Sequence, residues 1–303
     1  MNKRARFLPA VPASGFPKPR GILYNPGRGG PVESQGAIRD EGARLRSAWS
    51  FRRAATLFVV ALTFLLPFAL GAGPPYTTDD PETPRRHGWE INLPYVLARS
   101  GPASQAQAPL FDLNYGLFDH IQLDLEIPVF RVSLPGQPTA SGLGDVMAGF
   151  KWRFLEETKA RPQVAIYPQI CFPTGSVAKG LGAGAPCYVL PVAAEKNWGK
   201  WTASANLGYF IQQAAGASDF FYYGAAVTHE LAEGMEVGVE VFGHAFAIIG
   251  SEPENGFNFG AELRLSPTIA LLGSAGHGFR RKGHFLAYIG IQLLTGPNRR
   301  KRS

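Results

Sequence analysis

The chain has 303 residues, of which 45% are hydrophobic and only 17% are charged, whereas a soluble domain averages roughly 25% charged residues. Its mean hydropathy of −0.05 excludes a bundle of apolar helices and is typical of a membrane barrel, in which lipid-facing and lumen-facing residues alternate. Of the 30 Lys and Arg and 23 Asp and Glu, residues 1–71 hold 11 and 3, which leaves 19 and 20 for residues 72–303. The net charge of +7 therefore comes from the N-terminal part, and we expect no nucleic-acid surface in the folded part.

An export leader is predicted before the folded part. Two arginines precede the apolar stretch 54–70, and small residues and prolines follow it. These are the three parts of a secretory signal, with cleavage expected near Gly71 or Ala72. A membrane anchor is the alternative, because the stretch approaches the ~20 residues of a spanning helix. We divide the chain into three parts: residues 1–53 are a disordered extension with the basic signal region, residues 54–72 are the signal core with its cleavage region, and residues 73–303 are a barrel. The simplest explanation of the extension is a start codon assigned too far upstream.

Apolar and polar residues then alternate, which predicts strands. Trp89, Ile91 and Leu93 share one face of the first segment, and Glu90 and Asn92 share the other. Twelve such segments follow one another along the chain: 89–97, 111–115, 121–129, 146–154, 164–172, 187–195, 201–212, 219–230, 235–246, 257–265, 268–279 and 284–294. This pattern predicts an all-β fold, a closed antiparallel up-and-down transmembrane β-barrel of about 12 strands.

The connections and the tryptophans support a barrel with two different ends. Connections after odd-numbered strands are predicted to be long, beginning with 100–108, 134–141 and 173–186, and most of those between them are shorter. Such alternation is expected when long loops face the cell exterior and short turns face the periplasm. The four tryptophans of this part fall near the predicted periplasmic end, where indole rings prefer the membrane interface: Trp89, Trp152, Trp198 and Trp201.

Prolines lie inside several predicted strands, where each removes a ladder hydrogen bond. Two interpretations remain open, that they mark bulges or that they lie outside the hydrocarbon layer. The residues concerned are Pro94, Pro128, Pro168 and Pro191.

Three stretches of this part resemble a known bacterial family. They are Tyr76-Thr-Thr-Asp-Asp-Pro-Glu-Thr83 with His87-Gly-Trp-Glu-Ile-Asn-Leu93, Phe111-Asp-Leu-Asn-Tyr-Gly-Leu-Phe-Asp-His-Ile-Gln-Leu123 and Gly142-Leu-Gly-Asp-Val-Met-Ala-Gly-Phe-Lys-Trp-Arg-Phe154. Together they are similar to a family of outer-membrane transporters associated with the meta-pathway of phenol degradation, over roughly residues 76–295. The resemblance implies an outer-membrane barrel that admits hydrophobic or aromatic compounds, and it supplies no catalytic motif.

Charged residues at inward positions are the candidate lumen lining. One interpretation is a pore that favours cations or polar solutes; the other is a network in which opposite charges pair and hold the barrel shape, because buried charges need partners. A barrel of about twelve strands lies between ~8 strands, filled by side chains, and ~16, which leave a channel. The candidates are Glu90, Asp112, Asp124, Glu126, Asp145, Lys151, Arg153, Glu236, Glu240, Glu262 and Arg264.

Two further features leave alternatives open. The segment with Thr78, Asp79 and Asp80 is either a plug folded into the lumen, a carboxylate site for a divalent cation, or a turn before the first strand. Cys171 and Cys187 flank the longest predicted loop and form either a disulfide, stabilising by roughly 3 kcal/mol in the chain-entropy model, or two unpaired small hydrophobic residues.

The function predicted from sequence is a passive transporter or channel for small solutes, hydrophobic or aromatic ones included. A structural or adhesive barrel with a filled lumen is the alternative, and a barrel lipid hydrolase or acyltransferase is a weaker one. We expect no catalytic residues, cofactor or metal, because the six histidines show no metal-ligand spacing and no Gly-x-Ser-x-Gly elbow is present. The expected partners are outer-membrane lipid, a small-molecule solute and the barrel-assembly machinery, with no nucleic acid.

Overall fold

A computed structural model describes residues 74–246, 254–279 and 284–295. The predicted disordered extension, 1–53, and the predicted signal core and cleavage region, 54–72, lie outside these residues. Within the described ranges, no helix has the length and apolar character needed to cross a membrane.

The described residues form fourteen strands in one sheet. They are β1 Trp89–Ser100, β2 Ala103–Phe118, β3 Ile121–Ser133, β4 Ala140–Leu143, β5 Val146–Leu155, β6 Gln163–Ile166, β7 Gln169–Phe172, β8 Cys187–Trp198, β9 Trp201–Gln212, β10 Phe220–Ala232, β11 Met235–Phe246, β12 Glu254–Ser266, β13 Ile269–Gly278 and β14 His284–Leu294. A 3₁₀ turn, Val177–Lys179, lies between β7 and β8.

The sheet is a closed ring of twelve barrel strands. β3 pairs with both β4 and β5, and β8 pairs with both β6 and β7, so each of these two short pairs acts as one interrupted strand. All pairings are antiparallel, and β1 pairs with β14 over 11 residue positions to close the ring. The predicted fold class is therefore confirmed. Closure satisfies the strand backbones without exposing an edge, which a lipid environment requires.

The first connection is shorter than predicted. Ser100–Ala108 is not a long loop, because Val96–Ser100 pairs with Ala103–Gln107 and leaves only Gly101 and Pro102 at the turn. Gly101 has a φ of 57°, which glycine adopts without strain. The small and polar composition of this stretch suggests a loop, but cross-strand pairing makes it strand.

The prolines interrupt the ladder in different ways. The β1–β2 register shifts between Asn92 and Val96, around Pro94, and Pro168 separates β6 from β7. Pro128 faces the register shift between β2 and β3. Pro191 stays in register with β9, and its carbonyl accepts a hydrogen bond from the Tyr167 N–H at 3.1 Å. The interpretation as bulges therefore fits Pro94 and not Pro191.

The outer face of the barrel is apolar. Ile289 is 68% exposed, Phe259 61% and Leu207 57%, fractions expected of side chains that contact acyl chains instead of a protein core. All four tryptophans lie at the end of the barrel that carries the turns at 119–120, 199–200, 233–234 and 267–268. We call this the short-turn end and the opposite one the long-loop end.

Apolar side chains also fill part of the interior toward the long-loop end. Phe210 is 1% exposed and stacks on Phe220 with ring centroids 4.9 Å apart. Met147, Val189 and Tyr222 belong to the same buried cluster. This part of the lumen is therefore filled by side chains.

Candidate functional site in the barrel lumen

The inner face of the wall carries ten of the predicted lumen residues at inward, buried or half-buried positions. They are Glu90, Asp112, Asp124, Glu126, Lys151, Arg153, Glu236, Glu240, Glu262 and Arg264. Asp145 is different, because it lies in the break between β4 and β5.

A chain segment before β1 enters this polar interior. We call Pro74–Glu82 the inserted segment. Thr78 and Asp79 are each 3% exposed, and Pro81 is fully buried. The sequence left open whether this segment is a plug, a cation site or a turn before the first strand. The structure places it inside the ring of strands.

Glu240 on β11 holds one side of the inserted segment. Its carboxylate accepts hydrogen bonds from the Thr77 N–H at 3.0 Å and from the Thr78 N–H. Asn258 on β12 donates its amide to the same carboxylate at 2.8 Å. Glu240 is 1% exposed, so these charge-assisted bonds form away from bulk water, where they are strongest.

Lys151 on β5 holds the other side. Its ammonium donates to Asp79 Oδ1 at 3.0 Å and to the Asp80 carbonyl at 2.8 Å, and it lies 4.8 Å from the centroid of the Tyr167 ring. Four barrel strands separate β5 from β11 along the shorter path around the ring. The inserted segment is therefore tied to nearly opposite walls and crosses the lumen.

Glycines on the wall make the recess that receives this segment. A Cβ atom built on Gly260 would lie 2.5 Å from the Tyr76 ring, one on Gly238 would lie 2.6 Å from the Tyr76 hydroxyl, and one on Gly224 would lie 2.3 Å from Thr78 Oγ1. Real side chains do not approach this closely, so larger residues at these positions would displace the segment. Sequence reasoning missed this recess, although the three glycines share inward positions on β10, β11 and β12.

Burial shifts the pKa values of titratable groups in the inserted segment. It raises the pKa of Asp79, and the positive charge of Lys151 opposes this rise. It also raises the pKa of Tyr76 above its ordinary value, and the nearby carboxylates of Glu236 and Glu240 add to the effect. The Tyr76 phenol therefore stays neutral at physiological pH.

Amide side chains, more than basic ones, accompany the acidic residues of β1, β2 and β3. The Asn92 amide donates to Asp112 at 2.8 Å and to Glu90 at 3.3 Å, and the Asn114 amide donates to Asp112 at 2.8 Å. Gln169 likewise donates to the carboxylates of Asp124 and Glu126, at 3.2 and 3.3 Å.

Two of the three basic lumen candidates form ion pairs with carboxylates, Lys151 with Asp79 and Arg264 with Glu262. Arg264 contacts Glu262 at 2.7 Å, but Arg153 donates to the Gln163 side-chain oxygen at 3.0 Å and contacts a ring nitrogen of His120 at 2.8 Å. The lumen therefore keeps an excess of acidic groups, which amide donors stabilise in part.

Asp145 anchors the long connection between β7 and β8. Its carboxylate accepts the N–H of Gly175 at 2.8 Å and of Ala183 at 2.7 Å. Leu181, in the same connection, is 2% exposed. Cys171 and Cys187 face each other across β7 and β8 and are joined by a disulfide at the base of this connection.

Two cavities lie beside the inserted segment, and Pro74, Pro75 and Tyr76 line both of them. The larger, about 590 Å³, is polar, and Asp80 and Glu82 contribute to its acidic lining. We call it the vestibule; most of its other walls come from the short-turn parts of β8 to β12 and from the connection 156–162.

The smaller cavity, about 100 Å³, is bounded largely by β1, β2 and β14. Val96, Leu110 and Leu286 give it a mainly apolar wall. We call it the upper cavity, because most of its wall lies toward the long-loop end. The inserted segment thus lines both a polar chamber and a mainly apolar one.

Glu157 ties the connection 156–162 to β8 at the vestibule. It accepts from the Asn197 N–H at 2.9 Å, from the Asn197 side-chain amide at 2.7 Å and from the Lys196 ammonium. Partial burial alone would raise the pKa of Glu157, but these bonds outweigh it and lower the pKa below its ordinary value. Among the described residues, no group of three or more His, Cys, Asp or Glu side chains is arranged to hold a metal ion.

These features define an outer-membrane, porin-like β-barrel with a chain segment inside its lumen. The family model described as "Putative MetA-pathway of phenol degradation" matches residues 85–288, and the chain belongs to this family. The resemblance found in the sequence is therefore confirmed. No curated protein matches the chain.

Several solved outer-membrane channels are similar to this chain, and one of them matches it with a TM-score above 0.5. An outer membrane channel from Pseudomonas putida F1 is 14% identical with a TM-score of 0.54, and the match covers 74% of this chain and all of that one. The NanC porin is 10% identical with a TM-score of 0.49, covering 68% and 98% of the two chains, and the CymD monoaromatic hydrocarbon channel is 8% identical with a TM-score of 0.42, covering 69% and 88%. The likeness to the Pseudomonas putida channel concerns the fold.

Proposed function

We propose that this protein is a passive outer-membrane channel for small solutes, including hydrophobic or aromatic ones, and that the inserted segment limits passage through it. The observation that carries the proposal is the position of this segment, which is tied to β5 and β11 across the lumen and lines both the vestibule and the upper cavity. A solute that passes along the lumen would have to pass Tyr76 and Thr78 or displace them.

The character of the two cavities supports small and weakly polar solutes. The upper cavity is narrow and mainly apolar, whereas the vestibule is wide and acidic. An anionic solute would meet unfavourable charge near Asp80 and Glu82 and receive no compensating basic surface of similar size. Neutral and cationic solutes would not face this barrier.

A host that lacks its general porins provides the test, because its lipopolysaccharide layer slows apolar solutes that cross simple lipid vesicles unaided. We expect expression of the full chain to increase uptake of small neutral solutes, and the variant Gly260→Leu, which fills the recess of Tyr76, to increase it further. Gly273→Leu is the matched control, since a Cβ atom at Gly273 would meet only a backbone oxygen at 3.8 Å. Uptake equal to that of the empty host for all solutes and both variants would refute the channel.

A filled-lumen structural or adhesive barrel is the second candidate, and the tight hold on the inserted segment favours it. The two candidates differ in planar bilayers. A channel gives conductance steps in the native protein, whereas a filled structural barrel gives steps only after Gly260→Leu or not at all.

A further inference from the structure

The lipid-facing side of the barrel carries very little charge. In the strands that the structure describes, outward positions hold no Asp or Glu, and the Lys and Arg at such positions are Arg99 on β1, Arg131 on β3 and Lys196 on β8. Lys196 lies at the short-turn end, where its ammonium contacts Glu157. Arg99 and Arg131 lie at the long-loop end and are both exposed. Neither of these two guanidinium groups forms an ion pair with a carboxylate of the described residues.

The two arginines, which we call the arginine pair, stand on either side of β2. Ala98 lines the upper cavity, so the next residue, Arg99, points outward. Arg99 is directly opposite Ser104 of β2, and Arg131 is directly opposite Ala106 of the same strand. With strands about 4.8 Å apart and a rise of about 3.3 Å per residue, the Cα atoms of the pair are about 12 Å apart. Only small side chains lie between them, so one molecule lying on β2 can contact both guanidinium groups.

The arginine pair lies at the edge of the apolar band. Arg99 comes ten residues after Trp89 in β1, and Arg131 comes ten residues after Ile121, which is directly opposite Trp152. Ten residues at about 3.3 Å each, in a strand tilted by about 40°, rise about 25 Å along the barrel axis. The apolar band of such barrels is also about 25 Å tall. Because short turns face the periplasm, the pair lies at the level of the headgroups of the outer leaflet.

Apolar side chains adjoin the arginine pair on the same outer surface. Phe285 of β14 is directly opposite Arg99 and is 39% exposed. Tyr95 and Phe111, at deeper outward positions of β1 and β2, are exposed as well. The outer wall of β14, β1, β2 and β3 therefore combines two cationic groups at headgroup level with an apolar surface below them.

We infer that the arginine pair binds the phosphorylated disaccharide headgroup of lipid A, the acylated glycolipid of the outer leaflet. Each guanidinium would donate paired hydrogen bonds to phosphate oxygens, for which its planar fork is suited. The Arg99 Nε already donates to the Gly101 carbonyl at 3.2 Å, which holds the side chain at the β1–β2 turn and leaves its terminal NH₂ groups for phosphate. The acyl chains would lie along Tyr95, Phe111 and Phe285.

The spacing of the pair favours lipid A over a glycerophospholipid. Two guanidinium groups on either side of one strand match a headgroup that carries two phosphates on one disaccharide, whereas a glycerophospholipid such as phosphatidylglycerol offers one phosphate. The site lies on the outside of the barrel, so it does not depend on the proposed channel function.

Native mass spectrometry of the purified, delipidated full chain tests this inference, with bisphosphorylated lipid A and the same lipid after dephosphorylation as matched probes. We expect the bisphosphorylated form to bind at least tenfold more tightly, and its binding to weaken as salt is added. Arg99→Gln and Arg131→Gln should each weaken it about tenfold, the lower end of the effect of one charge-assisted hydrogen bond, and leave the dephosphorylated lipid unaffected. Arg99→Lys should lose less than Arg99→Gln, because it keeps the charge and loses only the fork.

Arg161→Gln is the matched control, since Arg161 is an exposed arginine at the short-turn end whose Nε also donates to a backbone carbonyl, that of Glu156. Heat-modifiable mobility verifies that each variant is a folded barrel. Equal affinity for the two forms of lipid A would overturn the inference. So would an equal loss in Arg161→Gln and Arg99→Gln, no loss in either variant of the pair, or binding of phosphatidylglycerol or inorganic phosphate as tight as that of lipid A.

Discussion

Replacing Glu240 by Gln should release the inserted segment. The carboxylate accepts hydrogen bonds from the Thr77 and Thr78 N–H groups and from the Asn258 amide. A Gln side chain has only one acceptor oxygen, and its NH₂ group, a donor, would face one of these donors. At least one charge-assisted hydrogen bond is lost, which costs about 1.5–3 kcal/mol. At about 1.4 kcal/mol per tenfold change, the population of the displaced segment should rise about ten- to 150-fold.

A thiol at position 78 reports this population directly. The sequence has only two cysteines, and they are joined in the disulfide, so Thr78→Cys introduces the sole free thiol. The Thr78 hydroxyl has no hydrogen-bond partner among the described residues, so its loss should disturb the segment little. In this background, Glu240→Gln should raise the labelling rate by a membrane-impermeant thiol reagent about ten- to 150-fold, with more frequent conductance steps in planar bilayers.

Asp219→Asn is the control for the same chemical change, since Asp219 bonds Gln212 and Tyr209 at the long-loop end and not the inserted segment. Two results would refute the reasoning. One is an unchanged labelling rate in a Glu240→Gln variant that still shows the heat-modifiable mobility of a folded barrel. The other is rapid, complete labelling of Thr78→Cys before Glu240 is changed, which would mean that the segment does not occupy the lumen.

Three other predictions concern the rest of the barrel. Hydrogen bonds lower the pKa of Glu157 in the folded state, so its attachment to β8 stabilises the fold at pH values above the ordinary Glu pKa of about 4.3. This stabilisation should be lost as the pH falls through the lowered pKa. Proteolysis of the connection 156–162 with an acid-active protease measures the loss. Asp145→Asn should raise proteolysis within the connection between β7 and β8, because the carboxylate that accepts two of its backbone N–H groups is removed. Leu207→Arg places a charge on the lipid face in mid-strand and should lower barrel stability by about 2–4 kcal/mol in urea titrations.

Each of these three has a matched comparison. Glu157→Gln should abolish the acid dependence at the connection 156–162, and a dependence that persists would assign it to another group. Asp219→Asn is again the control variant, here for Asp145→Asn. Equal proteolysis of the β7–β8 connection in both variants would contradict the anchoring role of Asp145. Leu265→Arg, near the turn at 267–268, should cost only about 0–1 kcal/mol because it is close to the interface; an equal cost at Leu207 would contradict the assigned membrane depth.

The sequence alone determined most of the strand segments and most of the residues that face inward, although the predicted loop 100–108 is largely strand and Asp145 lies in a break. Alternation has a period of two regardless of what surrounds the strand, so Glu90 and Asn92 could be assigned to the face opposite Trp89 without knowledge of their neighbours. Twelve strands of this length then require a closed ring in lipid, because an open edge would leave backbone groups unpaired. The order of long and short connections along the chain predicted that the tryptophans lie at the short-turn end of the barrel.

Only the tertiary structure decided what meets inside the ring. Asp79 and Lys151 are 72 positions apart in sequence, and no local pattern distinguishes an Asp-Pro turn from a segment that crosses the lumen. Cross-strand register, set by the whole ring, places Asn92 directly opposite Asp112, where its amide donates to the carboxylate. The physical reason is that a strand's periodicity is local, whereas the partner of a buried polar group depends on the stagger of every strand between them.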